Sequence, residues 1–261
     1  MEGLIYLIKV KRIKKPKELT DKEQQRLTEE FKHDKHKQVW NKKYIRERLL
    51  EECNGKCVYC ESRIGGDRDM QIDHFHYKNK YEEEVVLWEN LNPSCQHCNR
   101  NKSSHDTYRD PIINPFEQNP QDYLCIKDYR YYSKNDKVEE IVRTTIDVLG
   151  LNDTREIVVN RFQIGNELLE KMQHLYELAK EKESSLCSKV KIKNKVLNGF
   201  KNLLILGTKE EEYSAFMAAI IKSDPYYQKL KELLIELNLW NEELQELDEK
   251  LDEVRLQVGR D

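Results

Sequence analysis

Residues 57–104 read CVYCESRIGGDRDMQIDHFHYKNKYEEEVVLWENLNPSCQHCNRNKSS, and two Cys-x-x-Cys pairs bracket almost the whole stretch. Two-residue spacing lets a tight turn aim both thiolates of a pair at one ion, so Cys57, Cys60, Cys95 and Cys98 predict a four-cysteine Zn²⁺ site. Four thiolates close the coordination sphere and leave no open position for water, so this zinc is expected to be structural. The 34 residues between the pairs exceed ordinary zinc-ribbon spacing and predict an insert with chemistry of its own. Four unrelated buried cysteines are the competing reading, and the paired spacing argues against it.

Working outward, the chain has 261 residues, with 45 Lys and Arg against 48 Asp and Glu, a net charge of −3. That excludes a polycation that coats nucleic acid by charge alone; contact with phosphates requires local charge. Residues 1–50 carry a balance of +7 and residues 226–261 a balance of −5. The basic segment is a candidate phosphate track, or simply a solvated face of mixed charge. Only 9 Gly and 6 Pro leave little room for an all-β design with many tight turns, so helices should dominate. No apolar run reaches the roughly 18 residues of a membrane span, and no signal peptide is evident, so a cytoplasmic protein is expected. Seven cysteines, an odd number, oppose a secreted disulfide framework. Cys53, Cys125 and Cys187 have no partner at metal spacing and suit small buried apolar roles.

The opening GLIYLIKVKRI predicts a strand closed by Pro16, and Thr20-Asp21-Lys22-Glu23 is a capping box that starts a helix. A second helix over residues 42–52 should stop at Asn54-Gly55, which delivers the chain into Cys57. From about Val138 the pattern is helical nearly to the end, with Asp224-Pro225 as a cap followed by proline in the first turn. Leu230, Leu233, Leu237, Trp240, Leu244, Leu247, Leu251, Val254 and Val258 form a seven-residue apolar repeat. It predicts a last helix that docks on a partner or folds back on its own chain; Asn238 and Asn241 interrupt the seam and favour the latter. Three parts follow: a basic N-terminal segment (1–54), a core with the zinc knuckles (55–115), and a helical region (116–261) that is a candidate docking surface.

The insert carries a second pattern. Ile72-Asp73-His74 follows the first knuckle, Asn90-Leu91 precedes the second, and Asn99 stands directly after Cys98, with Arg100 and Lys102 behind it. In this order the chain resembles the His-Asn-His (HNH) endonucleases of the subgroup whose motif lies between two Cys-x-x-Cys pairs. The resemblance implies a mainly α, α+β protein with a small ββα-metal core, in which Asp73 ends one strand, Asn90 on the second strand orients His74 through its backbone, and Asn99 opens the helix.

Phosphodiester hydrolysis gives these positions roles. The attacking water needs a base and the leaving oxygen needs positive charge. His74 is the candidate base. Asp73 and Asn99 offer oxygen ligands to Mg²⁺ or Mn²⁺, and Arg100 and Lys102 are candidate phosphate contacts. His97, inside a knuckle, is an alternative zinc ligand, and His76 shares the His74 face if the strand continues. His105 is an alternative third ligand of the catalytic metal; each of the three also has a plain structural or surface reading.

Further stretches, DHFHYKNKY, INPFEQNPQDYL and TTIDVLGLNDTREIVVNRF, are similar to PtuB-type HNH nucleases over roughly residues 50–165. These act in Septu and some retron-associated anti-phage systems. That implies a DNA-cleaving effector with a separately encoded ATPase partner of the PtuA type, and no membrane association. A proline usual in the family near Tyr77 is absent here. A restriction enzyme of the McrA kind without an ATPase, a non-catalytic zinc-stabilised binding module, and an RNA substrate are the alternatives.

Overall fold

The first knuckle forms because the chain reverses twice within a few residues. Helix α2 (Lys43–Glu52) ends at Cys53, and Asn54 and Gly55 follow with φ of 48° and 66°. The left-handed region fits glycine and, among other residues, asparagine best. The turn is then closed by the Cys57 N–H on the Ser62 carbonyl, and the Val58 N–H reaches the Pro93 carbonyl, which fixes the knuckle to the strand ahead of its partner. These contacts belong to a computed structural model that describes residues 10–65 and 70–260.

Strands β1 (Gln71–His74) and β2 (Leu91–Ser94) pair antiparallel, with Asp73 opposite Asn92 and His74 opposite Leu91. Helix α3 (Gln96–Lys102) follows immediately and packs on β1. Cys95 is its N-cap: the sulfur accepts the Cys98 N–H, so one side chain both starts the helix and presents a thiolate. The expected ββα unit is therefore present, embedded in a helical protein.

Ahead of it, helix α1 (Asp21–His33) starts at Thr20, whose hydroxyl accepts the Glu23 N–H at 3.2 Å. The Glu23 carboxylate turns to Arg26. Most of the expected opening strand lies outside the described residues; residues 10–13 form no strand, and the Val10 N–H bonds the Pro115 carbonyl.

Behind the core lies a second, three-stranded sheet that the helical reading of residues 116–261 did not foresee. Strands β3 (Leu124–Lys127) and β4 (Arg130–Ser133) form a hairpin, and β5 (Gln257–Val258) adds parallel to β3. Helices α4 (Glu139–Leu149), α5 (Ile157–Glu181), α6 (Glu183–Leu186), α7 (Val190–Ile205), α8 (Ser214–Ser223), α9 (Pro225–Glu236) and α10 (Glu242–Val254) complete the chain. Asp224 caps α9 by accepting the N–H groups of Tyr226 and Tyr227.

The heptad pattern does not make one long helix. The chain breaks at Asn238, with φ of 54°, and Asn241 caps α10 by accepting the Leu244 N–H. Leu230, Leu233, Leu244, Leu247, Leu251 and Val254 are all buried, with α9 against α5 and α10 against α7 and α8. The seam is thus consumed within the chain: a repeat of seven also serves two short helices when an αL residue lets the chain turn back.

A buried polar network joins knuckle and tail. Lys56 and Glu61, each about 1 % exposed, pair at 3.0 Å. Ser214 at the start of α8 bridges them, and the Ala215 N–H donates to the other Glu61 oxygen. A carboxylate at a helix N-terminus satisfies free N–H groups and the dipole together. Glu61→Ala strips this partner from a buried ammonium, so the unfolding free energy should fall by about 3–5 kcal/mol. Chemical denaturation checks this; an unchanged midpoint would show that the pair is not needed.

Candidate active site and metal centre

The four knuckle thiols converge. The sulfur atoms of Cys57, Cys60, Cys95 and Cys98 lie within 4.8 Å of one another, three of the residues buried and one half-buried. Hydrogen bonds from Cys57 and the other sulfurs hold the Cys95 thiol far below its ordinary range, and the same contacts push Cys60 and Cys98 up. A divalent cation taking all four as thiolates removes that competition for protons. No other group of three or more potential ligands comes together among the described residues. The donor set therefore fits a metal, and the arrangement matches the expected knuckle pair.

Cys53 and Cys125 are buried as expected, whereas Cys187 is exposed. It follows the four-residue α6, which buries Leu186 and leaves the next side chain outside.

Beside the knuckles opens a cavity of about 1170 Å³, whose lining includes Trp40, Asp73, His74, Lys78, Asn99 and Arg100. Three elements line it: β1 brings Asp73 and His74, the loop after β1 brings Lys78, and α3 brings Asn99 and Arg100 from its middle, because the helix already opens at Gln96 with Cys95 as its cap and not at Asn99 as expected. Sequence spacing of 25 residues between His74 and Asn99 collapses to one cavity because α3 packs directly on β1.

His74 is 5 % exposed and closely held. Its Nε2–H donates to the Val85 carbonyl at 2.9 Å, since a carbonyl only accepts, and the edge of the ring meets Trp40 with 4.6 Å between centroids. Burial, with the charge of Lys78 adding, pushes its pKa down to about 3. The ring is therefore neutral near neutral pH and keeps a lone pair on Nδ1.

Asp73 is also buried. One carboxylate oxygen accepts the Tyr59 hydroxyl at 2.5 Å and the other faces the Lys102 ammonium at 3.1 Å. A carboxylate has about four lone-pair sites, so acceptor capacity remains for a cation. Tyr59, inside the first knuckle, also accepts from the Asn92 amide, which couples the metal knuckle to β1 and β2.

Two expectations are corrected here. Lys102 is 1 % exposed and turned inward, where it pairs with Asp73 and donates to the His74 carbonyl. An ammonium so placed neutralises the core and is out of reach of a phosphate. Asn90 stands in the helical turn Trp88–Asn90, just before β2 rather than on it. Its carbonyl accepts the N–H of the His74–Phe75 peptide, and its amide holds the backbone of His76 and Glu84, so it steadies the end of β1 through the backbone and braces the loop that supplies Val85.

The three uncertain histidines all resolve into packing. His97 Nδ1–H donates to Glu156, and Nε2 lies 3.0 Å from the Gly150 carbonyl. Gly150 has φ of 63°, and a Cβ there would sit 2.8 Å from the His97 ring, so only glycine permits this docking. His76 lies beyond the end of β1, donates Nδ1–H to Thr107 and stacks on Tyr108 with centroids 3.7 Å apart. Thr107 uses its own proton on the Phe75 carbonyl, which makes His76 the donor. His105 donates to the Asp110 carbonyl.

Sequence reasoning missed Trp40, Tyr59 and Lys78. Tyr59 lay in view within the knuckle, but nothing marks Trp40, 34 residues before His74, as its neighbour. The basic N-terminal segment is likewise partly structural: Arg12 stacks on Phe116, pairs with Glu52 and donates to the carbonyls of Glu89 and Leu91.

Antiparallel β1 and β2, helix α3, and a Asp-His pair beside a four-cysteine cluster define an HNH endonuclease core, and residues 57–105 match the HNH endonuclease family. Over 242 residues the chain is 37 % identical to Septu protein PtuB of Bacillus thuringiensis, covering 92 % of each chain. It is 28 % identical over 168 residues to Septu protein PtuB of Bacillus mycoides (strain KBAB4), covering 50 % of this chain and 54 % of that relative. The chain belongs to the PtuB family. This decides for an endonuclease over a non-catalytic binding module. Among the described residues no helix is long and apolar enough to cross a membrane.

Proposed function

We propose that this protein is the cytoplasmic nuclease subunit of a Septu anti-phage system, cleaving DNA with a divalent cation and acting with an ATPase of the PtuA type. The observation that carries the reading is the convergence of Asp73, neutral His74 and Asn99 on one cavity beside the thiol cluster. The cluster would hold structural Zn²⁺. Asp73 and Asn99 would hold Mg²⁺ or Mn²⁺, hard oxygen donors for a hard cation. That ion supplies positive charge for the leaving oxygen.

The chain's own groups do the rest. His74 Nδ1 takes the proton of a water whose oxygen attacks phosphorus as the bond to the leaving oxygen breaks. The Val85 carbonyl and the Trp40 ring keep the imidazole aimed. Arg100, largely exposed and paired with Glu156, is a phosphate contact at the cavity rim. Tyr59 and Lys102 hold the Asp73 carboxylate in place from behind.

The three-part division assigns substrate approach to residues 1–54, chemistry to 55–115 and partner contact to 116–261. With the heptad seam buried, partner contact falls to the exposed acidic side of α10, where Glu242, Glu246 and Glu249 face solvent. A chain of net charge −3 steers weakly onto DNA, and a partner can supply the missing field. Purified alone, the chain should nick plasmid DNA feebly in Mg²⁺ or Mn²⁺, with cleavage rising when an ATPase of the PtuA type is added. Strong specific cleavage by the chain alone would overturn partner dependence, and cleavage of tRNA in preference to DNA would overturn the substrate.

A further inference from the structure

Four cations line the cavity: Lys43, Arg46, Lys78 and Arg100. Three are engaged with protein groups. Lys43 pairs with Glu47, Arg46 donates to the Met70 carbonyl, and Arg100 pairs with Glu156. Lys78 alone of the four has no hydrogen bond or ion pair among the described residues. Its ammonium lies 5.1 Å from the centre of the Trp40 ring, the same ring whose neighbour is His74. Asp73, a cavity carboxylate whose charge reaches Lys78, is already matched by Lys102. A half-buried ammonium left with its donors unused, beside the base and the candidate metal ligands, is a site built for an anion that arrives from outside.

We propose that Lys78 is a catalytic residue: it contacts a non-bridging oxygen of the scissile phosphate and stabilises the charge that builds there in the transition state. The proposal rests on the nuclease reading above. It replaces the phosphate contact that the buried Lys102 cannot make, and it gives Trp40 a double task. The indole face holds the ammonium by cation–π attraction while it orders the His74 ring. Base and phosphate contact are thereby set in register through one side chain.

The test is steady-state cleavage of plasmid DNA in Mg²⁺ by the full chain with its ATPase, comparing wild type, Lys78→Met and Lys78→Arg. Methionine keeps the hydrocarbon stem on Trp40 and removes the charge; arginine keeps the charge. Loss of one preorganised donor should lower kcat of Lys78→Met by about 10²–10³-fold with little change in KM, and Lys78→Arg should recover much of it. Thermal midpoint and zinc content should match wild type in both. Lys78→Met cleaving within about threefold of wild type overturns the proposal. So does equal loss in both variants together with a lowered thermal midpoint, since Lys78 would then only prop Trp40. If wild type itself cleaves no nucleic acid under any of these conditions, the nuclease reading fails first and this proposal falls with it.

Discussion

His74→Ala is expected to lower DNA cleavage by about 10²–10⁴-fold, the range over which a positioned general base acts, equivalent to about 3–5 kcal/mol of barrier. The geometry says why the effect falls on chemistry. The Nε2–H is spent on the Val85 carbonyl, so Nδ1 is the only ring atom left to accept a proton, and burial keeps it unprotonated. KM should move little, because the imidazole is neutral and adds no charge to phosphate binding. Removing a buried ring costs packing against Trp40, so the thermal midpoint should drop by a few degrees with zinc content unchanged. His74→Asn, more polar and closer in size, separates the two effects if it restores the midpoint without the activity. Survival of cleavage in either variant would transfer the base to another group.

The second large effect concerns the cluster. If the cluster holds structural zinc as proposed, Cys98→Ser should lose it and unfold the core, because Cys98 supplies one of the four sulfurs and donates its N–H to Cys95, the N-cap of α3. Apparent binding energies of about 10–16 kcal/mol for structural zinc exceed the whole stability of an ordinary domain. A strong chelator should do the same to the wild-type chain, and added Mg²⁺ should not restore the fold. The knuckle communicates with the catalytic strands through Tyr59, Asp73 and Asn92, so cleavage should vanish together with the metal rather than after it. Atomic absorption for zinc with circular dichroism checks this; a folded, zinc-free variant would show that the cluster serves chemistry instead.

How much of this was legible beforehand differs by residue. The knuckle cysteines were readable because two-residue spacing admits few alternatives: the geometry is local, and the pair brings its own turn. Order along the chain marks Asp73, His74 and Asn99, which line one cavity, and the capping residues Thr20 and Asp224 are legible through the backbone groups they satisfy. Lys102 was misread because its residue type is equally suited to phosphate and to a buried carboxylate. Which it meets depends on the face of α3 turned toward β1, and that face is set by packing of the whole unit. The α9–α10 seam was misread as one helix since a seven-residue repeat reports burial and not continuity; Asn238 in a left-handed conformation turns the chain back.

By itself, then, the sequence determined the four thiols of the cluster, the order of the Asp-His and Asn motifs and the helical character of most of the chain. Each of these depends on neighbours a few residues apart, where covalent geometry limits the outcomes. Only the tertiary structure decided that Lys102 serves the core, that Trp40 and Lys78 belong to the cavity, and that the terminal helices close on their own chain. Those choices compare the cost of burying a charge or an apolar face at one place in space with another, and the groups compared lie tens of residues apart.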